Sequence, residues 1–187
     1  MGSAGRLLLV STWWVLGYEW LVSGVNKALG SKFIDGLQKQ MAMAVQSTPY
    51  HWYGWVLQHV LVRCAHMCAY CVMVGELAVA LAFAFCGFAC LYGKPSQLVA
   101  LVGVVACGVA SFMVANFFLL QGGAYFFHPS DPFDEGIPVD LLMLLLQLVL
   151  AVDTWNAFRS CRVIQNTNPS VYRCEHQKNE YTEETNQ

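Results

Sequence analysis

Charge is what this sequence has least of. Its 187 residues include 10 Lys and Arg and 12 Asp and Glu, 12% in all, against about 25% in an ordinary soluble domain. The hydrophobic share is 57% and the mean hydropathy +0.46. Eight of the charges fall in the last 29 positions, so the first 158 residues carry only 14. That is too few to solvate a globule, and it excludes a soluble enzyme and a disordered chain. No basic surface exists for nucleic acid, and a net charge of −2 points to no partner. Long repeats are missing. So is a small-x-small cleavage site after the first apolar run, which argues against a cleaved leader. Arg6 at the sixth position leaves the myristoylation signal that Met1-Gly2 would open incomplete.

What is there is apolar length. A bilayer crossing takes about 20 helical residues, and four segments supply them: Leu7 to Val25, His66 to Tyr92, Gln97 to Leu120, and Val139 to Phe158. The stretch from Trp55 to Tyr92 is too long for one simple span and divides near Arg63 and His66. Between the first two spans, Phe33, Leu37, Met41 and Ala44 recur at helical spacing, with Lys32, Asp35 and Lys39 elsewhere on the wheel. Pro49 to Tyr53 is aromatic like an interfacial belt. The pattern predicts an all-α integral membrane four-helix bundle, with an amphipathic interfacial helix after the first span lying on the outer surface over the bundle's mouth. Residues 1–158 form the membrane domain and 159–187 a polar tail. Arg6, Lys94, Arg159 and Arg162 favour both termini inside, and the basic first loop (Lys27, Lys32, Lys39, Arg63) is the exception.

Ionisable groups inside spans are costly and face a bundle interior or a cavity. Thr12, Glu19, Ser23 and Asn26 share one face of the first span, with Lys27 just beyond. Glu76 stands beside small residues at Gly75, Ala78, Ala82, Cys86 and Ala89. The third span sets Gly103, Cys107, Ala110 and Val114 on one side and Asn116 near its end, and the fourth contributes Gln147. Small stripes let helices pack closely in lipid. At a rise of about 1.5 Å per residue, Glu19, Glu76, Asn116 and Gln147 lie roughly 6 to 15 Å from the outer ends. They share that half with the third loop, Gln121 to Pro138, which holds His128, Asp131, Asp134 and Glu135. One polar, outward-opening cavity results.

Each of these residues has two readings. Glu19 and Glu76 are either packing glue between helices or carboxyl groups that exchange protons with a redox ligand. Lys27 either snorkels or binds an anion or head group, and His128 either caps a loop or binds a ligand. Among the eight cysteines, Cys64, Cys68 and Cys71 fall on one helical face at i, i+4, i+7. His66 lies on the other side, so a metal site fails on a straight helix, and no finger-like second cluster exists. Polarizable packing and a redox thiol near the surface both stay open. Cys161 and Cys174 of the tail would face a reducing cytoplasm and stay free. The tail alone would be mobile; a partner subunit would order it.

Several stretches together resemble the DoxX/DoxD family. They are Gly17-Tyr18-Glu19-Trp20-Leu21 with Gly24 and Lys27, then Phe33; Pro49-Tyr50-His51-Trp52-Tyr53 with Val60; Val74 to Val79, containing a Gly-Glu-Leu element; and Asn116-Phe117-Phe118. The resemblance covers roughly residues 7 to 155. Departures are Thr48 where an Asn is usual and Ala80 where a Gly is common. The resemblance implies a membrane subunit of the thiosulfate:quinone oxidoreductase type, in an energy-transducing membrane. Quinone would be the cofactor, with no metal or haem in this chain. Glu19 and Glu76 would relay protons, and Lys27, Asn116 and His128 would bind ligands. The partners implied are membrane lipid and other membrane subunits. The alternative is a non-catalytic accessory subunit of a large respiratory or photosynthetic assembly. A transporter is weaker, because no span is broken by Gly or Pro.

Overall fold

A computed structural model describes residues 3–30, 32–92, 96–120 and 139–167, the side chains of Ser3, Val139 and 161–167 excepted. His128, the third-loop acids and the chain after Thr167 lie outside the described residues. Among those described, all regular structure is helical: α1 (Ser3–Leu29), α2 (Phe33–Ser47), α3 (His51–Val56), α4 (Ala65–Leu91), α5 (Gln97–Leu120) and α6 (Val139–Thr167). Among the described residues, three helical stretches are long and apolar enough to cross a membrane: His51–Leu91, Gln97–Leu120 and Asp140–Ser160. Their length and composition are those of a membrane protein. α1 has the length, at 27 residues, but is not among the three, because Thr12, Glu19, Ser23, Asn26 and Lys27 dilute its apolar run.

The expected division near Arg63 and His66 is a change of winding and not a break. α3 passes through a π-helical turn, Leu57–Leu61, and a 3-10 turn, Val62–Cys64, directly into α4. The helix at the other end of the chain also runs on. α6 reaches Thr167, nine residues past the expected end of the span, into the stretch read as tail.

α1 packs along α4 and α5 along α6, with α4 against α5 joining the two pairs. In lipid such pairs depend on close backbone approach and not on a hydrophobic driving force. Two glycines of α1, seven residues apart, supply it. A Cβ at Gly17 would touch Phe83 Cβ at 3.4 Å and Ala80 O at 3.5 Å. One at Gly24 would stand 3.0 Å from Leu77 Cδ2 and 3.3 Å from Glu76 Cβ. Trp13 fills the centre, edge-on to Phe83 with ring centroids 5.2 Å apart, and its ring reaches Gly103 of α5. At the far end, Arg6 Nη2 donates to Leu91 O at 3.1 Å, placing a cation at the negative C-terminus of α4.

The buried face of α2 is Leu37, Met41 and Ala44, as its spacing predicts, with Phe33 packed at the edge. It rests on Tyr53, Leu57, Ala65 and Ala69 of the neighbouring rod. The expected face of α4 is displaced. Cys86 of the small-residue stripe is buried, but Ala78 is exposed, and the burial runs through Glu76, Val79, Ala80, Phe83 and Gly87 instead. The reason is contact with α1, whose glycines and tryptophans meet that side. On α5 the expected Gly103, Cys107, Ala110 and Val114 are all buried.

Replacing Gly24 with Leu should force α1 off α4 and cost about 1–3 kcal/mol of stability, the usual range for overpacking. Gly36→Ala is the control. Nothing lies within 4 Å of a Cβ there, and removing a helical glycine should add about 0.5–1 kcal/mol. Thermal denaturation of the two variants in lipid nanodiscs checks both signs.

Candidate functional site

Lys27 lies in the last turn of α1, one turn after Ser23 and three residues after Gly24. The Gly24 contact sets its backbone beside Glu76 on α4. Its Nζ then donates to Glu76 Oε1 at 2.5 Å and to Ser23 Oγ at 2.6 Å. Two aromatic rings flank the same ammonium: Phe117 of α5 with its centroid at 5.3 Å, and Phe33 of α2 at 5.8 Å. Both are within the range of a cation–π attraction, about 6 Å. Lys27 is 23% exposed and Glu76 is 0% exposed. A carboxylate with no solvent contact depends on its partner, since burying an isolated charge is prohibitive.

Glu76 Oε2 has no hydrogen-bond partner among the described residues. It belongs to a cleft of about 80 Å³ lined by Glu19, Trp20 and Ser23 of α1, Val114 and Phe117 of α5, and Asp140 and Met143 of α6. The cleft is lined by three carboxyl groups, Glu19, Glu76 and Asp140, of which Glu76 pairs with Lys27. Glu19 is exposed and, among the described residues, makes no hydrogen bond or ion pair.

A second cavity of about 340 Å³ lies on the other side of Phe117. Its walls come from α2 (Leu37, Met41), the rod from Tyr53 to Gly75, and α5 (Val109 to Leu120). It is apolar apart from Asn116, Tyr53 and the thiols of Cys68 and Cys71. Asn116 Nδ2 donates to Phe112 O at 2.7 Å, and the Tyr53 hydroxyl donates to the backbone O of Asn116 at 3.3 Å. Cys64 is exposed and does not line this cavity. The 3-10 turn at Val62–Cys64 puts it out of phase with the two thiols that do.

The sequence residues thus divide. Lys27 and Glu76 touch, Glu19 shares their cleft, and Asn116 borders the neighbouring cavity. His128 lies outside the described residues. Among the described residues no group of three or more His, Cys, Asp or Glu could hold a metal ion. Phe117 and Asp140 are the site members that a reading by residue type passes over. Phe117 is one residue beyond the Asn that attracts notice, and Asp140 reads as an ordinary first-turn acid. In comparisons with family models, curated proteins and solved structures, nothing matches this chain.

Removing one charge of the pair should cost far more than removing both. Lys27→Met strands the Glu76 carboxylate and should destabilise by about 3–5 kcal/mol. Lys27→Met combined with Glu76→Leu should recover most of that loss. A double-mutant cycle by chemical denaturation measures it, and additive losses would mean the contact is idle.

Proposed function

We propose that this chain is the integral membrane subunit of a quinone-linked redox complex, like the DoxD subunit of thiosulfate:quinone oxidoreductase. α1 serves as the fourth crossing, completing a four-helix bundle, and both termini lie on the inner side of an energy-transducing membrane. The length of α1 and its exposed Leu8, Val15 and Tyr18 support its contact with lipid.

One observation carries the reading. Gly24, Lys27 and Phe33, then Glu76, then Phe117 come from three separate stretches that carry the DoxX/DoxD resemblance, and they meet at one ammonium. A family signature that is scattered in sequence and joined in space fits a shared site.

The apolar cavity suits a quinone ring, with Asn116 and Tyr53 as its only oxygen and nitrogen groups and lipid-facing helices around it. When bound, a quinone would supply the acceptor for two protons and for the two electrons released as two thiosulfate ions couple to one tetrathionate. Asn116 orients the ring. Lys27 and Glu76, across Phe117, supply the proton reservoir, and Glu19 passes protons from the cleft's exposed side. Lys27 also draws the anionic donor toward this end of the bundle. His128 belongs to the same ligand-binding set, and other subunits dock on the C-terminal tail.

A second reading has its own support. The Lys27–Glu76 contact fastens α1 to α4 whatever else it does, as an accessory subunit without catalysis requires. Quinone content separates the two. Protein purified gently from membranes should carry about one quinone per chain, as a single cavity of this class implies. Gly75→Leu, which fills the cavity from α4, should remove it. Glu76→Gln should abolish quinone reduction by thiosulfate. Wild-type protein with neither quinone nor turnover would establish the accessory reading.

A further inference from the structure

Five buried side-chain atoms have no hydrogen-bond partner among the described residues, and they come from all four long helices. They are Trp20 Nε1 on α1, Glu76 Oε2 on α4, Ser111 Oγ on α5, and both amide atoms of Gln147 on α6. All four side chains are more than nine-tenths buried: Gln147 and Glu76 at 0%, Trp20 at 3% and Ser111 at 8% exposed.

Their positions are related. Trp20 and Glu76 line the small cleft directly. Val114 and Met143 line it too, and Ser111 and Gln147 sit one helical turn deeper behind them, at i−3 and i+4. The orphan groups therefore extend inward from the Lys27–Glu76 pair, two at the cleft and two about one helical turn deeper. Chance packing glue would pair these groups with one another or with a backbone carbonyl, as Thr154 does with Leu150 O at 2.6 Å.

A buried donor or acceptor without a partner costs about 1–3 kcal/mol, so four such residues in one part of the interior are a heavy cost for a dry core. The set also has the composition of a hydration site. Trp20, Ser111 and Gln147 donate; Glu76, Ser111 and Gln147 accept. A water molecule needs 2–4 polar partners and roughly 10–15 Å³ of room, and the cleft alone offers about 80 Å³.

We propose that α1, α4, α5 and α6 enclose a hydrated polar site beneath the Lys27–Glu76 pair. It is a short file of ordered water that runs from Gln147 and Ser111 past Glu76 to the cleft rim at Glu19 and Asp140. The file gives the buried carboxylate a route for exchanging a proton with the end of the bundle where α1 stops. It is separate from the apolar cavity and stands whether or not a quinone occupies that cavity.

Hydroxyl-radical footprinting by X-ray radiolysis of the full chain in lipid nanodiscs tests it, because radicals formed from bound water oxidise the side chains they touch. Trp13 is the internal control: it is 2% exposed against 3% for Trp20, but it packs in the apolar core on Phe83. Trp20 should oxidise several-fold faster than Trp13, because ordered water contacts Trp20 and not Trp13. Equal rates for the two tryptophans would overturn the proposal. Gln147→Met, close in shape and apolar, should slow Trp20 oxidation and lower the melting temperature. A raised melting temperature would mean that the amide was simply unpaired in a dry core, and would overturn the proposal as well.

Discussion

The contact between Lys27 and Glu76 is the constraint around which the rest is arranged. Glu76 is wholly inside the protein, and a buried carboxylate requires a cation within reach. That requirement fixes the register of α1 on α4. Gly24 must face Glu76 Cβ for the lysine one turn later to close the pair. It also places two further elements, because Phe33 opens α2 and Phe117 ends on α5, and both rings stand over the same ammonium. Four helices are thereby referred to one nitrogen atom. An apolar pair would hold α1 to α4 as firmly, since buried ion pairs are seldom more stable than hydrophobic substitutes. An ion pair adds one thing that an apolar pair cannot: a defined partner geometry, with a carboxylate oxygen left over.

The leftover oxygen joins the two cavities into one account. On one side of Phe117 the walls are apolar and the room is ample. On the other the room is small, and the groups are polar and unpaired. A ligand from the lipid phase suits the first and water suits the second, with the ion pair beside the boundary between them. The proposed reaction would use both sides, because an apolar carrier reaches its site through lipid and protons move through water.

Much of this was legible in the residues. A helix long and apolar enough to cross a membrane is predicted and found at Gln97–Leu120. The face of α2 follows from its spacing, because that helix is apolar on one side only. Lys27 and Glu76 stand out because charge is so scarce. The buried face of α4 was not legible, because a helix surrounded by lipid is apolar all round and period carries no phase. Ala78 and Ala80 are the same residue type, and only contact with Gly17 decides that Ala80 is inside. The π and 3-10 turns between Leu57 and Cys64 were hidden for a related reason: no Pro or Gly marks them. Trp20, Ser111 and Gln147 come into one part of the interior only once four helices are assembled, and no local pattern reports that.

The central claim is a single interatomic contact, and it can be measured directly. Solid-state NMR of uniformly ¹³C,¹⁵N-labelled protein in lipid bilayers reports dipolar coupling between a lysine Nζ and a glutamate Cδ. The Lys27–Glu76 pair should give such a coupling at salt-bridge range, under about 4 Å, which disappears in Lys27→Met and leaves the helical backbone signals in place. Absence of any Lys–Glu coupling in the wild-type protein would contradict it.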